Sequence, residues 1–106
     1  MVSQQTLVYK GSGLQLQVSD TLVAMYARGT RPERDITLAE ADEIRGLLLS
    51  LPQKTEEDYA NGLFTTYNAR KSEMGFLLNT VEDAIAFNNH HESLHLGIMM
   101  QLRKFI

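Results

Sequence analysis

All three histidines of this 106-residue chain fall close together, as His90, His91 and His95 in the run Asn89-His90-His91-Glu92-Ser93-Leu94-His95-Leu96-Gly97. Residues four apart on a helix project from one face, so His91 and His95 can offer two neutral imidazoles to a single transition-metal ion. His90 turns onto the outer face and reads as solvated. Two ligands hold a first-row metal weakly, and a complete site needs at least one more from another segment or chain. The competing reading is a hydrogen-bonded histidine pair with no metal. The same run satisfies His-Glu-x-x-His, the pattern in which a glutamate activates metal-bound water in zinc peptidases. Such enzymes take a further ligand downstream, and the 11 residues after His95 contain no His, Asp, Glu or Cys, which makes a peptidase the weakest of the three readings.

The element that must position these residues is a long helix. Thr80-Val81-Glu82-Asp83 has the form of a capping box, no proline follows, and Arg103 and Lys104 place positive charge on the last turn. The pattern predicts a helix from Val81 to about Lys104. With Val81 at heptad position a, the seam reads Val81, Ala84, Asn88, His91, His95, Ile98, Leu102 and Phe105, apolar at both ends and polar in the middle. Phe87, Leu94 and Met99 widen the stripe as in a helix packed inside a bundle, and Met99-Met100 reads as core packing. Gly97 costs about 0.5 to 1 kcal/mol relative to Ala inside a helix, which suggests close approach by another segment unless it is simply tolerated.

A second helix begins at Thr37-Leu38-Ala39-Glu40, a further capping box, and carries Ala41, Ile44, Leu47, Leu48 and Leu51 to its expected end at Pro52. Asp20 to Arg28 reads as a short helix with Asp20 as its cap and Gly29 as its stop. Thr55 and Asp58 suit one further turn before the Asn61-Gly62 turn signal. Val2 to about Lys10 is expected to form a helical stub. Leu14-Gln15-Leu16-Gln17-Val18 alternates like a strand but has no evident partner, so it reads as extended chain in an all-α fold. The acids Glu40, Asp42, Glu43, Glu56, Glu57 and Asp58 read as capping or solvated. Gly11-Ser12-Gly13 lacks the context of a phosphate loop, and Arg28, Arg31 and Arg34 read as solvated loop residues.

Composition narrows the classes. With 10 Lys+Arg against 13 Asp+Glu the net charge is -3, which argues against a nucleic-acid-binding surface. No cysteine is present, so disulfides, iron-sulfur clusters and thiolate zinc sites are excluded and any metal must use His, Asp or Glu. No apolar run has the length of a signal peptide or membrane span, giving a single cytoplasmic domain over residues 1-106 as the expectation.

The element His91-x-x-x-His95-x-Gly97, followed by Leu102-Arg103 and preceded by Thr80-Val81-Glu82-Asp83-Ala84, resembles the last helix of the DinB-like superfamily. Ser3-Gln4-Gln5-Thr6-Leu7-Val8-Tyr9 is similar to the end of that family's second helix, Met25-Tyr26 through Gly29-Thr30-Arg31-Pro32 to the loop before its third, and Thr37 to Leu51 to the third itself. The resemblance implies a four-helix bundle holding a divalent metal, often nickel or zinc, on three histidines, with open positions for water or a thiol. Its characterised relatives include thiol-dependent S-transferases and isomerases. His91 and His95 would be the two ligands of the final helix. The third histidine normally lies in the second helix, upstream of the residues matched here, and the first helix has no counterpart.

The expectation is therefore an all-α, partial DinB-like bundle completed by homodimerisation, because the apolar stripe of the last helix has only one other long helix to cover it. Its function is expected to centre on a weak nickel or zinc site at His91 and His95, with small-molecule or thiol ligands and reduced or no catalysis by the isolated chain. The alternative is a structural helical interaction module without metal.

Overall fold

The structure, a computed structural model, describes residues 1-106. Three helices, α1 (Asp20–Met25), α2 (Leu38–Ala60) and α3 (Val81–Leu102), follow an N-terminal helical segment. That segment is wound as a π-helix over Gln4–Tyr9 and tightens to a 3₁₀ turn at Lys10–Ser12. The wide winding brings Gln4, Gln5, Leu7, Val8 and Tyr9 all to the interior. The chain is 61% helical, in keeping with the all-α expectation. Its β structure is a two-stranded antiparallel ladder of β1 (Arg70–Lys71) and β2 (Leu77–Leu78), with Arg70 opposite Leu78.

Both long helices start as the sequence predicts. The Thr37 hydroxyl accepts from Glu40 N–H while the Glu40 carboxylate accepts from Thr37 N–H, and Thr80 and Asp83 repeat the arrangement. These boxes satisfy backbone donors that the first turn leaves without helical partners. For α1 the cap is Ser19, whose hydroxyl accepts from Leu22 N–H at 3.2 Å, and Asp20 is the first helical residue. α1 ends at Met25, short of Arg28, and the Thr30 hydroxyl lies within hydrogen-bond distance of the Met25 and Ala27 carbonyls, the latter also accepting from Thr30 N–H.

Pro52 does not end α2, which runs on to Ala60. The reason lies outside the helix. Beyond Pro52 the segment is pinned to the N-terminal helix: Gln4 Nε2 donates to Thr55 Oγ1 at 2.6 Å, and the Tyr9 hydroxyl donates to Asp58 Oδ2 at 2.7 Å. Thr55 Oγ1 donates in turn to the Leu51 carbonyl, and Lys54 pairs with Asp58 at 2.8 Å. These contacts offset the one backbone hydrogen bond that proline removes. Asp58 is thus a buried anchor and not the solvated acid its surroundings in sequence suggest.

The core is Val8, Tyr9, Val81 and Ala84, with Leu14, Leu16, Phe64, Tyr67 and Ile85 packed around it. Leu14 and Leu16 face inward while Gln15 and Gln17 are exposed. The alternation is real, although the segment pairs with no strand and is held by Gln17 N–H on Gln5 Oε1 at 2.6 Å. The first half of α3 lies on the N-terminal helix, burying Val81, Ala84 and Asn88. From Leu94 onward α3 is exposed, including Met99 and Met100, which are not core residues in this chain. Gly97 has no neighbouring segment against it.

Candidate metal site

α3 brings His91 and His95 together, with Nε2 of one 2.9 Å from Nε2 of the other and the rings edge to face at 4.6 Å. His91 is half-buried and His95 exposed. In the metal-free pair one Nε2 carries the proton and donates to the other. Burial, with the neighbouring His95 adding to it, pushes the His91 imidazole below its ordinary value and keeps it neutral and available as a ligand. The Phe87 ring stacks on His91 at 6.1 Å and 26°, which fixes the imidazole plane.

Imidazole nitrogens on one ion, each about 2.0–2.1 Å from it, stand roughly 2.9–3.4 Å apart for ligand angles from a right angle to tetrahedral. The observed separation matches the span of two such ligands. The pair fits a divalent metal as two of its ligands, and no group of three or more His, Cys, Asp or Glu side chains comes together anywhere in the chain.

Glu92 takes no part in the pair. Its carboxylate accepts from the Met1 amino group at 2.9 Å and from Ser3 Oγ at 3.1 Å. Burial alone would raise this carboxyl, but those donors outweigh it and hold Glu92 below the usual carboxylate range. The glutamate of the His-Glu-x-x-His string is therefore engaged on the neighbouring flank of α3, away from where a peptidase would need it. Ser3 Oγ also donates to Asn88 Oδ1 at 2.9 Å, so the polar seam residue Asn88 is satisfied by the N-terminal helix.

His90 is exposed as expected, but it lies against the rings of Phe76 and Phe87. The β ladder makes this possible. The turn closed by Gly75 at φ 90° and by Phe76 N–H on Ser72 Oγ sets Phe76 6.0 Å from Phe87. The result is an open groove of about 300 Å³ lined by Phe76, Leu78, Ala86, Phe87 and His90, with the Asp83 carboxylate at its edge. Sequence reading missed this groove because the signal, Phe76 meeting Phe87, depends on a two-residue ladder. The loop arginines are exposed as expected, with Arg28 paired to Glu73 and Arg34 to Glu40 at the surface.

No helix is long and apolar enough to cross a membrane. No curated protein and no solved structure matches the chain. Residues 1–99 match the sequence model of the DinB superfamily, and on that match, which spans the N-terminal helix through most of α3, the chain belongs to the DinB superfamily.

Proposed function

We propose that this chain is a divalent-metal-binding DinB domain in which His91 and His95, each through Nε2, hold nickel or zinc. The observation that carries the reading is the 2.9 Å convergence of the two Nε2 atoms on an accessible part of α3. A bound divalent ion supplies Lewis acidity, which lowers the pKa of a coordinated water or thiol. Phe87 orients the His91 ring, and the groove beside Phe76 and His90 offers an apolar seat for a small-molecule or thiol ligand. With two imidazoles from one chain the site is weak, and catalysis by a single chain is reduced or absent.

Elemental analysis of protein purified without a histidine tag, followed by nickel and zinc titration, tests this. Metal that co-purifies and is lost in both His91→Ala and His95→Ala supports it. Absence of metal, with melting unmoved by added nickel or zinc, overturns it in favour of a structural interaction module, a reading that the exposed apolar half of α3 supports.

A further inference from the structure

The groove between Phe76 and α3 presents one charge and no counterion. One side is a strip of α3 on which Asp83, Ala86 and His90 follow at spacings of three and four, and the other is Phe76 with Leu78 of β2. Asp83 carries the only formal charge of the lining. Its Oδ2 accepts from Asn79 N–H at 2.9 Å and from Thr80 N–H at 3.2 Å, which fixes the carboxylate at the start of α3. Its Oδ1 accepts from no donor of the chain, and neither Arg70 nor Lys71 of the adjoining β1 pairs with it.

The apolar part of the groove is aromatic. Phe76, Phe87 and His90 form a triangle with centroids 6.0, 6.4 and 6.4 Å apart and planes tilted by 55°, 68° and 49°. Phe76 and His90 are exposed, which leaves ring surface free. Aromatic rings pair at centroid separations of about 4.5–7 Å with edges set on faces, so a further ring extends this cluster better than an aliphatic chain does. A volume of about 300 Å³ lies at the small end of ligand sites and suits one ring with a short chain. Four residues of helix, about 6 Å of rise, separate the levels of Asp83 and Phe87, which sets about two or three carbons between that ring and a group on the carboxylate.

Resting on the reading of this groove as a ligand seat, and without calling on the metal, we propose that it takes a small arylalkyl amine in its ammonium form. The ammonium donates to Asp83 Oδ1, and the ring lies among Phe76, Phe87 and His90. The pairing is charge-assisted, and the backbone donors that hold Oδ2 keep the carboxylate in place for it. A neutral ligand of the same shape forfeits the contact with the one charge that the groove presents, and an anionic one meets it as a like charge.

Titration of the full chain, treated with EDTA, by calorimetry and by amide NMR tests this with 2-phenylethylamine at about pH 7, where an alkyl amine is protonated. The expected dissociation constant is on the order of 0.1–1 mM, with shifts centred on the amides of Phe76, Ala86 and His90. The uncharged 2-phenylethanol and the anionic 3-phenylpropanoate should bind at least about fivefold more weakly. Asp83→Asn should bring the amine to the level of the alcohol, while the amide oxygen still accepts from the N–H groups that Oδ2 now holds. Phe76→Leu, which keeps the groove apolar, should weaken binding about threefold to tenfold. Equal binding of amine and alcohol, a preference that survives Asp83→Asn, shifts centred on the exposed end of α3, or no binding at millimolar concentrations overturns the proposal. Ammonium selectivity in a chain that binds no nickel or zinc supports the groove and removes the metal reading alone, whereas metal binding without that selectivity does the reverse.

Discussion

The Tyr9 hydroxyl donates to the Asp58 carboxylate at 2.7 Å, and both side chains are almost wholly buried. This bond joins the N-terminal helix to the part of α2 beyond Pro52. Hydrogen bonds to charged groups contribute about 1.5–3 kcal/mol, so Tyr9→Phe should lower stability by about 2 kcal/mol. The measurement is the urea midpoint at unchanged slope. A change below about 0.5 kcal/mol would mean that Lys54 alone sustains the buried carboxylate.

The same pair sets opposite pH limits. Burial tends to raise the Asp58 carboxyl, but Lys54 and the Tyr9 hydroxyl more than reverse this and hold it below its ordinary value. Its contribution is present above the unfolded carboxyl value of about 3.9 and is lost as pH falls through the lower folded value. Tyr9 is pushed up to about 12, chiefly by burial, which the hydrogen bond with Thr55 opposes and Asp58 reinforces. Its contribution is present below the unfolded tyrosine value of about 10 and fades as pH climbs toward the folded one. Tyr9→Phe should therefore shrink the alkaline loss of stability in urea titrations at stepped pH. The residual loss belongs to Lys54, raised by its bond to Asp58, to Tyr59, raised by its bond to Glu82, and to Tyr67, raised by burial. An alkaline limb unchanged by the substitution would contradict this assignment.

Gly11 is held against the ring of Tyr67. Asn68 N–H donates to the Gly11 carbonyl at 2.8 Å, and a Cβ at position 11 would stand 2.7 Å from Tyr67 Cε2. Gly11→Ala should cost about 1–3 kcal/mol through this overlap. In a Tyr67→Leu background the same substitution should cost much less, because the ring that it meets is gone. Equal costs in both backgrounds, read from thermal or urea unfolding, would place the strain elsewhere.

How far the sequence foretold the structure depends on the range of the interactions involved. The starts of α2 and α3 were legible because Thr37 with Glu40, and Thr80 with Asp83, close their hydrogen bonds within four residues. The His91 and His95 pair was legible for the same reason, since one helical turn brings the two nitrogens together. The continuation of α2 was not, because it depends on Gln4 and Tyr9, some fifty residues away in the chain. The engagement of Glu92 by Ser3 spans 89 positions, and no local pattern announces it. The heptad seam correctly placed Val81, Ala84 and Asn88 on the buried face, but periodicity gives a face without saying whether anything covers it. That is why the Met99 and Met100 side chains, which read as core, stand exposed.

Pro52 carries the last prediction. It is exposed, so its ring contributes little packing, and within a helix it removes the hydrogen bond to the Leu48 carbonyl and crowds that carbonyl, at a cost of about 3 kcal/mol. Proline also stiffens the unfolded chain, which returns about 0.4–1 kcal/mol. Pro52→Ala should restore the missing bond and raise stability by roughly 2–2.6 kcal/mol, with Thr55 and Asp58 still bonded to Gln4 and Tyr9. A loss of stability would mean that the proline sets the course of α2 needed to reach those partners. A double-mutant cycle with Tyr9→Phe separates the two cases: independent effects indicate relief of local strain, whereas strong coupling indicates that Pro52 aims Asp58 at Tyr9.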